Sequence, residues 1–505
     1  MVGLETVGYL IPSLCLLVGA LVIMVLDLVV KHEVVVTPAG REAREATIFW
    51  MVAVVAVVAA GLTSLVLPSP GPTGSVHILA SLTYDGFTAF VWRLILLALA
   101  MVVLLGESYL RHRISQPGLY YACLLLFGLG ALLLASASNT VMLLLALDFL
   151  SLLGYILTGF LHYDQRSAEA AVKYLVYGSA ISAMMAYGLS WLYGLTGTTD
   201  YAVTAEMMAG RFTWTAGQVI APRTLTPILV FLLAGFSFKI GSAPFHQWLP
   251  DAFEGAPAPV ASALAIVPKV AGFAALVRVT MVVLPPGTSL GEIWRWPLVA
   301  FLAVAAMLAG NLTGLWQDNI KRLMAYSGIA QVGYALVGVA TATERGLSGL
   351  LLYLTAYTFA ELGVFAAITV MSDKLDLEDV QDYRGLYHRA PMLATVLLIG
   401  VLSLFGMPGT GGFMGKLWLL LGALEDGRWL LLVMMTINGV VSLSYYWKVI
   451  RTTFVHTDHR LAPVSVPAAS WLVLAASAVG IIGIGIYPNL VLQWAENAVQ
   501  VLFAF

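Results

Sequence analysis

The sequence predicts an all-α polytopic membrane protein of about fourteen transmembrane helices, arranged as two inverted five-helix repeats. Three observations carry this. Hydrophobic residues make up 60% of the 505 positions and charged residues only 10%, where a soluble globular chain carries about 25%. Apolar runs of roughly 20 residues, long enough to span a bilayer, recur along the whole chain. Short linkers join most of them, which leaves no soluble domain. With 25 basic and 27 acidic residues, the chain cannot clothe a water-exposed surface of its size. A soluble enzyme, a disordered protein and a secreted disulfide scaffold are excluded. The net charge of −2 offers no polyanion-binding surface, so no nucleic-acid partner is expected.

The spans start near Gly8, Thr47, Asp85, Gly118, Thr140, Ala168, Thr224, Pro259, Trp294, Lys321, Gly346, Ala390, Gly427 and Val466. Glu5 precedes the first run with no basic residue and no small-residue cleavage site follows, which predicts a retained span rather than a signal peptide. The longest interruptions fall around 31–46, 68–84, 197–223 and 373–389. The mixed polarity of 201–213 suits a helix lying along the membrane surface. Cys15 and Cys123 stand alone in apolar runs, so no iron–sulfur, zinc or haem site is built locally, and no cofactor is expected in this chain.

Basic residues sort by loop. Odd-numbered loops hold Lys31, Arg41, Arg44, Arg111, Arg113, Arg166, Lys321, Arg322, Lys374, Arg384, Arg389, Arg451 and Arg460. Even-numbered loops hold Arg211, Arg223, Arg295, Arg345 and Arg428. The positive-inside rule then puts odd loops in the cytoplasm and both termini outside.

Two spans carry breakers at mid-run. The seventh reads Phe236-Ser-Phe-Lys-Ile-Gly-Ser-Ala-Pro-Phe-His246, and the twelfth Leu404-Phe-Gly-Met-Pro-Gly-Thr-Gly-Gly-Phe-Met-Gly-Lys416. Gly and Pro free backbone groups that lipid cannot satisfy, so these breaks should face protein or water. Broken helices five spans apart are what the inverted repeats would produce; a pair of ordinary kinks is the plainer reading. The expected organisation is 1–116 (three helices), 117–283 (first repeat), 284–456 (second repeat) and 457–505 (C-terminal helix).

The chemistry lies in ionisable residues inside the spans. Lys239 precedes the first break, Lys416 follows the second, and Lys269 sits in Ala263-Leu-Ala-Ile-Val-Pro-Lys-Val-Ala-Gly-Phe. Asp148 and Glu361 lie in apolar runs of their own. Each costs about 2.5–3.5 kcal/mol or more at mid-membrane. Burial disfavours an ammonium and a neighbouring carboxylate restores it, so a lysine whose carboxylate moves takes or releases a proton. A wetted row of such groups passes protons along the membrane plane. Lys173, near a predicted cytoplasmic edge, reads equally as an anchor. His246 reads as a proton relay or as a hydrogen-bonded structural histidine. Arg93, Arg278 and Lys448 read as snorkelling residues, Asp27 as a local ion pair with Lys31, and His456 and His459 as loop residues. The sequence contains no GxGxxG after a strand, no Walker loop, no HExxH and no GxSxG, so redox or hydrolytic energy must come from a partner.

The chain resembles the antiporter-like membrane subunits of respiratory complex I, and most closely the subunit N (subunit 2) family. The resemblance covers nearly the whole chain and is firmest from Asp148 to Lys416. Its strongest stretch is Pro244-Phe-His-Gln-Trp-Leu-Pro-Asp-Ala-Phe-Glu-Gly-Ala-Pro-Ala-Pro-Val260, continuing to Val267-Pro-Lys-Val-Ala-Gly-Phe-Ala-Ala-Leu276. Supporting stretches are 167–174, 194–199 and 317–327. The resemblance implies fourteen helices, a central polar axis and a proton-translocating role in an NADH-quinone oxidoreductase. It assigns Asp148 to the fifth-helix carboxylate, Lys239 to its seventh-helix partner and Lys173 to a sixth-helix modulator. Lys269 takes the place of the connecting lysine of the eighth helix and Lys416 that of the terminal residue of the twelfth.

FMN, iron–sulfur clusters and quinone are then expected in partner subunits, namely M-like and K-like membrane neighbours and a hydrophilic arm, with bound phospholipid besides. Two departures stand out. Asp148 is one methylene shorter than the usual glutamate, so a bridging water is expected between it and Lys239. Glu361 occupies a position where the family pattern leads one to expect a neutral residue. It reads as an extra relay carboxylate or as the partner of a base on another helix. The competing readings are an Mrp-type cation/proton antiporter subunit and a purely structural subunit. The Glu-Gly-Ala-Pro and Pro-Lys-Val forms argue against the first, the three buried lysines against the second.

Overall fold

The computed structural model describes residues 4–29, 42–68, 70–71, 74–114, 116–212, 222–375, 378–455 and 463–504. Lys31, Arg41, His456, His459 and Arg460 lie outside them, as do the side chains of Arg44, Arg211, Arg223 and Lys374.

Two helices, α1 (Ile11–Val29) and α2 (Glu42–Val66), precede a hairpin of β1 (Ser75–Ile78) and β2 (Leu82–Asp85). The strands lead directly into α3 (Gly86–Arg113), because Asp85 caps that helix by accepting from Thr88 N at 2.8 Å. Next come α4 (Pro117–Ser136), α5 (Thr140–Thr158), α6 (Gln165–Thr196) and α7 (Tyr201–Phe212). Over 201–213, where a helix along the membrane surface is expected, the structure has the helix α7, with Tyr201, Thr204 and Met208 buried. The chain continues through α8 (Pro222–Ile240), the short α9 (Trp248–Gly255) and α10 (Ala258–Arg278). The second half holds α11 (Ala300–Gly314), α12 (Ile320–Thr341), α13 (Glu344–Leu375), α14 (Pro391–Phe405), α15 (Gly411–Glu425) and α16 (Trp429–Phe454). It ends with α17 (Ala468–Ile486) and α18 (Asn489–Gln500).

Among the described residues, twelve helices are long and apolar enough to cross a membrane. The expected seventh and twelfth spans are the two that are not. Their apolar stretches, Leu225–Ile240 and Pro391–Phe405, stop where the Gly/Pro segments begin. At the second stop Gly406 adopts φ +95°, a left-handed conformation that spares glycine the Cβ clash and ends α14.

Burial grades inward. The outer helices α1, α2 and α16 present bare apolar side chains, such as Leu28 and Val66, as a lipid-facing surface requires. Every residue of α10 is buried, as are most of α12 and α13. The helix carrying Lys269 therefore packs inside the protein against α3, α4, α5, α8, α12 and α13.

Two helix starts are built alike. Asn139 caps α5, accepting from Met142 N at 2.6 Å, and pairs across an isolated antiparallel bridge with Asp200. Asn319 caps α12, accepting from Arg322 N at 3.1 Å, and pairs in the same way with Asp379.

Arg278 departs from the snorkelling expectation. Its guanidinium is buried and grips Asp85 with two contacts of 2.9 and 3.2 Å, adding Thr88 Oγ1 at 2.8 Å. Asp85 is wholly buried, so the end of α10 is pinned to the β-hairpin by a bidentate pair, with only Arg278 Nε left without a hydrogen bond among the described residues. Lys448 reaches Asp318 Oδ1 at 2.6 Å and the Gln317 carbonyl at 2.9 Å.

Candidate proton-transfer axis

The broken helices place the lysines. Lys239 is the penultimate residue of α8, and its side chain is 1% exposed, with no lipid or bulk water beside it. Its ammonium donates to Ser151 Oγ of α5 at 2.9 Å. Lys239 makes no direct contact with Asp148, as the shorter aspartate side chain leads one to expect. Asp148 lies one turn earlier on α5, on the outer face of the chain, and accepts a hydrogen bond from Ser182 Oγ of α6. The shorter aspartate thus leaves Ser151 as the group the lysine touches.

Lys173 does not approach this pair either. Half exposed on α6, it binds Glu169 at 2.7 Å and Asp251 at 2.9 Å. Asp251, on α9, also receives Arg322 of α12 at 2.7 Å, and Arg322 reaches Glu254 at 2.7 Å. Lys321 donates to the Glu254 and Ala256 carbonyls at 2.7 and 3.2 Å and pairs with Glu378 at 2.5 Å. Three cations from two helices therefore clamp α9, whose C-terminal carbonyls favour positive charge. His246 lies half-buried in the break, and its Nδ1 has no hydrogen-bond partner among the described residues.

Lys269 is the next centre. Its Nζ donates to Tyr357 Oη of α13 at 2.9 Å and lies against Gly328 of α12. Glu361 stands one turn beyond Tyr357, wholly buried, and neither carboxylate oxygen has a hydrogen-bond partner among the described residues.

From there a polar seam crosses to Lys416. Ser327 Oγ and Tyr446 Oη are 2.5 Å apart, and Gln331 Nε2 donates to Tyr446 Oη at 2.8 Å. Gln331 also donates to the Leu404 carbonyl at 2.9 Å and accepts from Tyr353 Oη. Lys416 Nζ donates to that same Leu404 carbonyl at 2.7 Å and to Phe405 O at 3.0 Å, and it lies 4.3 Å above the Tyr334 ring. No carboxylate pairs with Lys416 among the described residues. The free carbonyls and negative dipole end of the half-helix α14 hold its ammonium instead.

The sequence reading did not single out Ser151, Ser327, Gln331, Tyr353, Tyr357 or Tyr446. A signal was present: Tyr353, Tyr357 and Glu361 recur every four residues on α13, and Ser327 and Gln331 have the same spacing on α12. That period lines one helix face.

Comparison with known proteins places this geometry. Residues 137–442 match the family described as NADH:quinone oxidoreductase/Mrp antiporter, TM. The NADH-quinone oxidoreductase subunit N of Trichlorobacter lovleyi is 38% identical over 84% of this chain and 85% of its own. That of an Anaeromyxobacter species is 34% identical over 97% and 96%. The chain belongs to the NADH-quinone oxidoreductase subunit N family.

Structural comparison agrees. A chain of respiratory complex I from Thermus thermophilus with bound aureothin superposes with a TM-score of 0.76 at 28% identity, covering 95% of this chain and 98% of that one. A chain of the Mrp complex from a Dietzia species gives 0.79 at 18% identity, covering 99% and 98%. The fold is therefore common to complex I and Mrp subunits, and it is the sequence likeness to subunit N that separates them. As a subunit N family member with twelve apolar helices of spanning length, the chain is an integral, multi-pass membrane protein.

Proposed function

We propose that this chain is a proton-translocating membrane-arm subunit of an NADH-quinone oxidoreductase of the complex I type, and that it holds no redox centre itself. The observation that carries the reading is the row Lys239, Lys269 and Lys416. These are three ammonium groups buried in the protein, each held by hydroxyls or helix-end carbonyls and none in direct contact with a carboxylate. Ion pairs would lock such charges; neutral partners leave them free to exchange protons.

In this reading, electron transfer to quinone in partner subunits shifts the field at Asp148, and Lys239 responds through Ser151. Protons enter from the cytoplasmic side, pass Lys269, where Glu361 and Tyr357 take and return them, and leave near Lys416. Ser327 and Tyr446 supply hydroxyls between the two. Gln331 orients Tyr446 and itself carries no proton. Lys173 acts by holding α9, and His246 lines the break. FMN and iron–sulfur clusters belong to partner subunits, and the flanking membrane subunits are M-like and K-like. The membrane is the bacterial cytoplasmic membrane, with both termini on the periplasmic side.

Purification through a tag on this chain, followed by mass spectrometry, tests the assembly. Co-purifying iron–sulfur and flavin subunits are expected. Recovery of antiporter-like proteins alone contradicts the assignment and makes sodium the ion to test.

A further inference from the structure

A groove of about 510 Å3 opens between α3, α13 and α18, away from the proton axis. Its walls are apolar, with Phe90 and Leu97 of α3, Phe359 of α13 and Trp494 of α18 among them. It contains one charged residue, Arg93. Arg93 Nε and Nη2 donate to a single acceptor, Ser64 O, at 3.3 and 3.1 Å. No carboxylate pairs with the half-buried Arg93 among the described residues, whereas the buried guanidiniums of Arg278 and Arg295 have Asp85 and Glu292. Ser64 is near the end of α2, so its carbonyl offers a dipole but no net charge. An unmatched cation beside an apolar groove in a spanning helix is costly until an anion reaches it.

The level of Arg93 fits a lipid phosphate. It lies two turns into α3, close to the β-hairpin end, and its acceptor lies two residues before the same end of α2. Trp494, largely exposed, and Asn497 stand at the groove, and indole rings favour the headgroup level. The volume discriminates between occupants. A transmembrane helix, about 10 Å across with a pitch of 5.4 Å, would fit little more than one turn into it. An acyl chain needs no wider passage.

We propose that this groove holds one phospholipid with an anionic headgroup, its phosphate on Arg93 and an acyl chain along Phe90, Leu97 and Phe359. The site does not depend on the proton-transfer reading.

The test is native mass spectrometry of the intact assembly, delipidated and then offered phosphatidylglycerol or phosphatidylcholine. The wild type is expected to retain phosphatidylglycerol on this chain about fivefold better, as one basic contact to an anionic lipid implies. Arg93→Gln should abolish the preference. Leu97→Trp, which fills the groove and leaves the charge intact, should abolish retention of either lipid on this chain while partner subunits are recovered as before. Equal retention of the two lipids by the wild type, or an unchanged preference in Arg93→Gln, overturns the proposal. So does a map of the assembly with a neighbouring subunit's side chains in the groove.

Discussion

The Lys269 ammonium rests on Gly328. A Cβ at that glycine would come within 2.5 Å of Nζ and 3.3 Å of Tyr357 Oη. What it would strike is the far end of a flexible side chain, so the backbone need not move. Gly328→Ala should therefore leave assembly and thermal stability unchanged while displacing the proton carrier. Misplacing a reacting group by about 1 Å costs on the order of 100-fold. A fall in proton translocation of that order, with quinone reduction and assembly retained, is the expected outcome. It is measured by dye quenching in membrane vesicles.

Ser151 is the hydrogen-bond acceptor of Lys239. Ser151→Ala leaves a buried ammonium without that bond, a loss of about 1–3 kcal/mol. Lowered pumping is expected, with Ser151→Thr restoring it because the hydroxyl is kept. Pumping rates of the two variants at matched expression check this; full activity in Ser151→Ala contradicts it.

Arg278 and Asp85 form a bidentate ion pair in which both side chains are buried. Asp85→Asn strands the guanidinium, and breaking a buried pair costs about 3–5 kcal/mol. The thermal midpoint of the purified assembly should fall sharply. The double variant Arg278→Met with Asp85→Asn should recover part of the loss, since no charge is then left buried alone.

Asp251 is different because its partners Lys173 and Arg322 are partly exposed. Each such bridge contributes about 0–1 kcal/mol. Asp251→Asn should barely change stability, yet it releases α9 from Lys173 of α6 and leaves only Arg322–Glu254 and Lys321 to tie it to α12. If the clamp positions the break, pumping falls more than stability does, and raising ionic strength in the wild type shifts it in the same direction. Pumping at two salt concentrations measures this.

Much of the architecture is legible in the sequence because the bilayer imposes a length and a hydropathy. Each expected span start lies within three residues of a helix or apolar stretch found in the structure, from Gly8 to Ala468. The breaks were legible because Gly and Pro cannot hide in lipid. The buried lysines were legible because an ammonium there is too costly to be incidental. Partner choice was not. Arg278 and Asp85 are 193 residues apart, and no local pattern joins them. Asp148 looked like a buried partner because helical periodicity does not say which face meets another protein. Tyr446, Gln331 and Ser327 passed as ordinary span residues, since neutral polar groups barely disturb hydropathy. Only the four-residue spacing betrayed that face.

The central claim is that buried lysines conduct the proton, and Lys269→Met tests it most directly. Methionine matches the stem and fits an apolar site, and α10 lies wholly inside the protein, so the fold should survive. The measurement is protons moved per electron in reconstituted assembly, alongside quinone reduction. The account expects an assembled complex with a clearly lowered ratio. An assembled complex that pumps at the full wild-type ratio would contradict it.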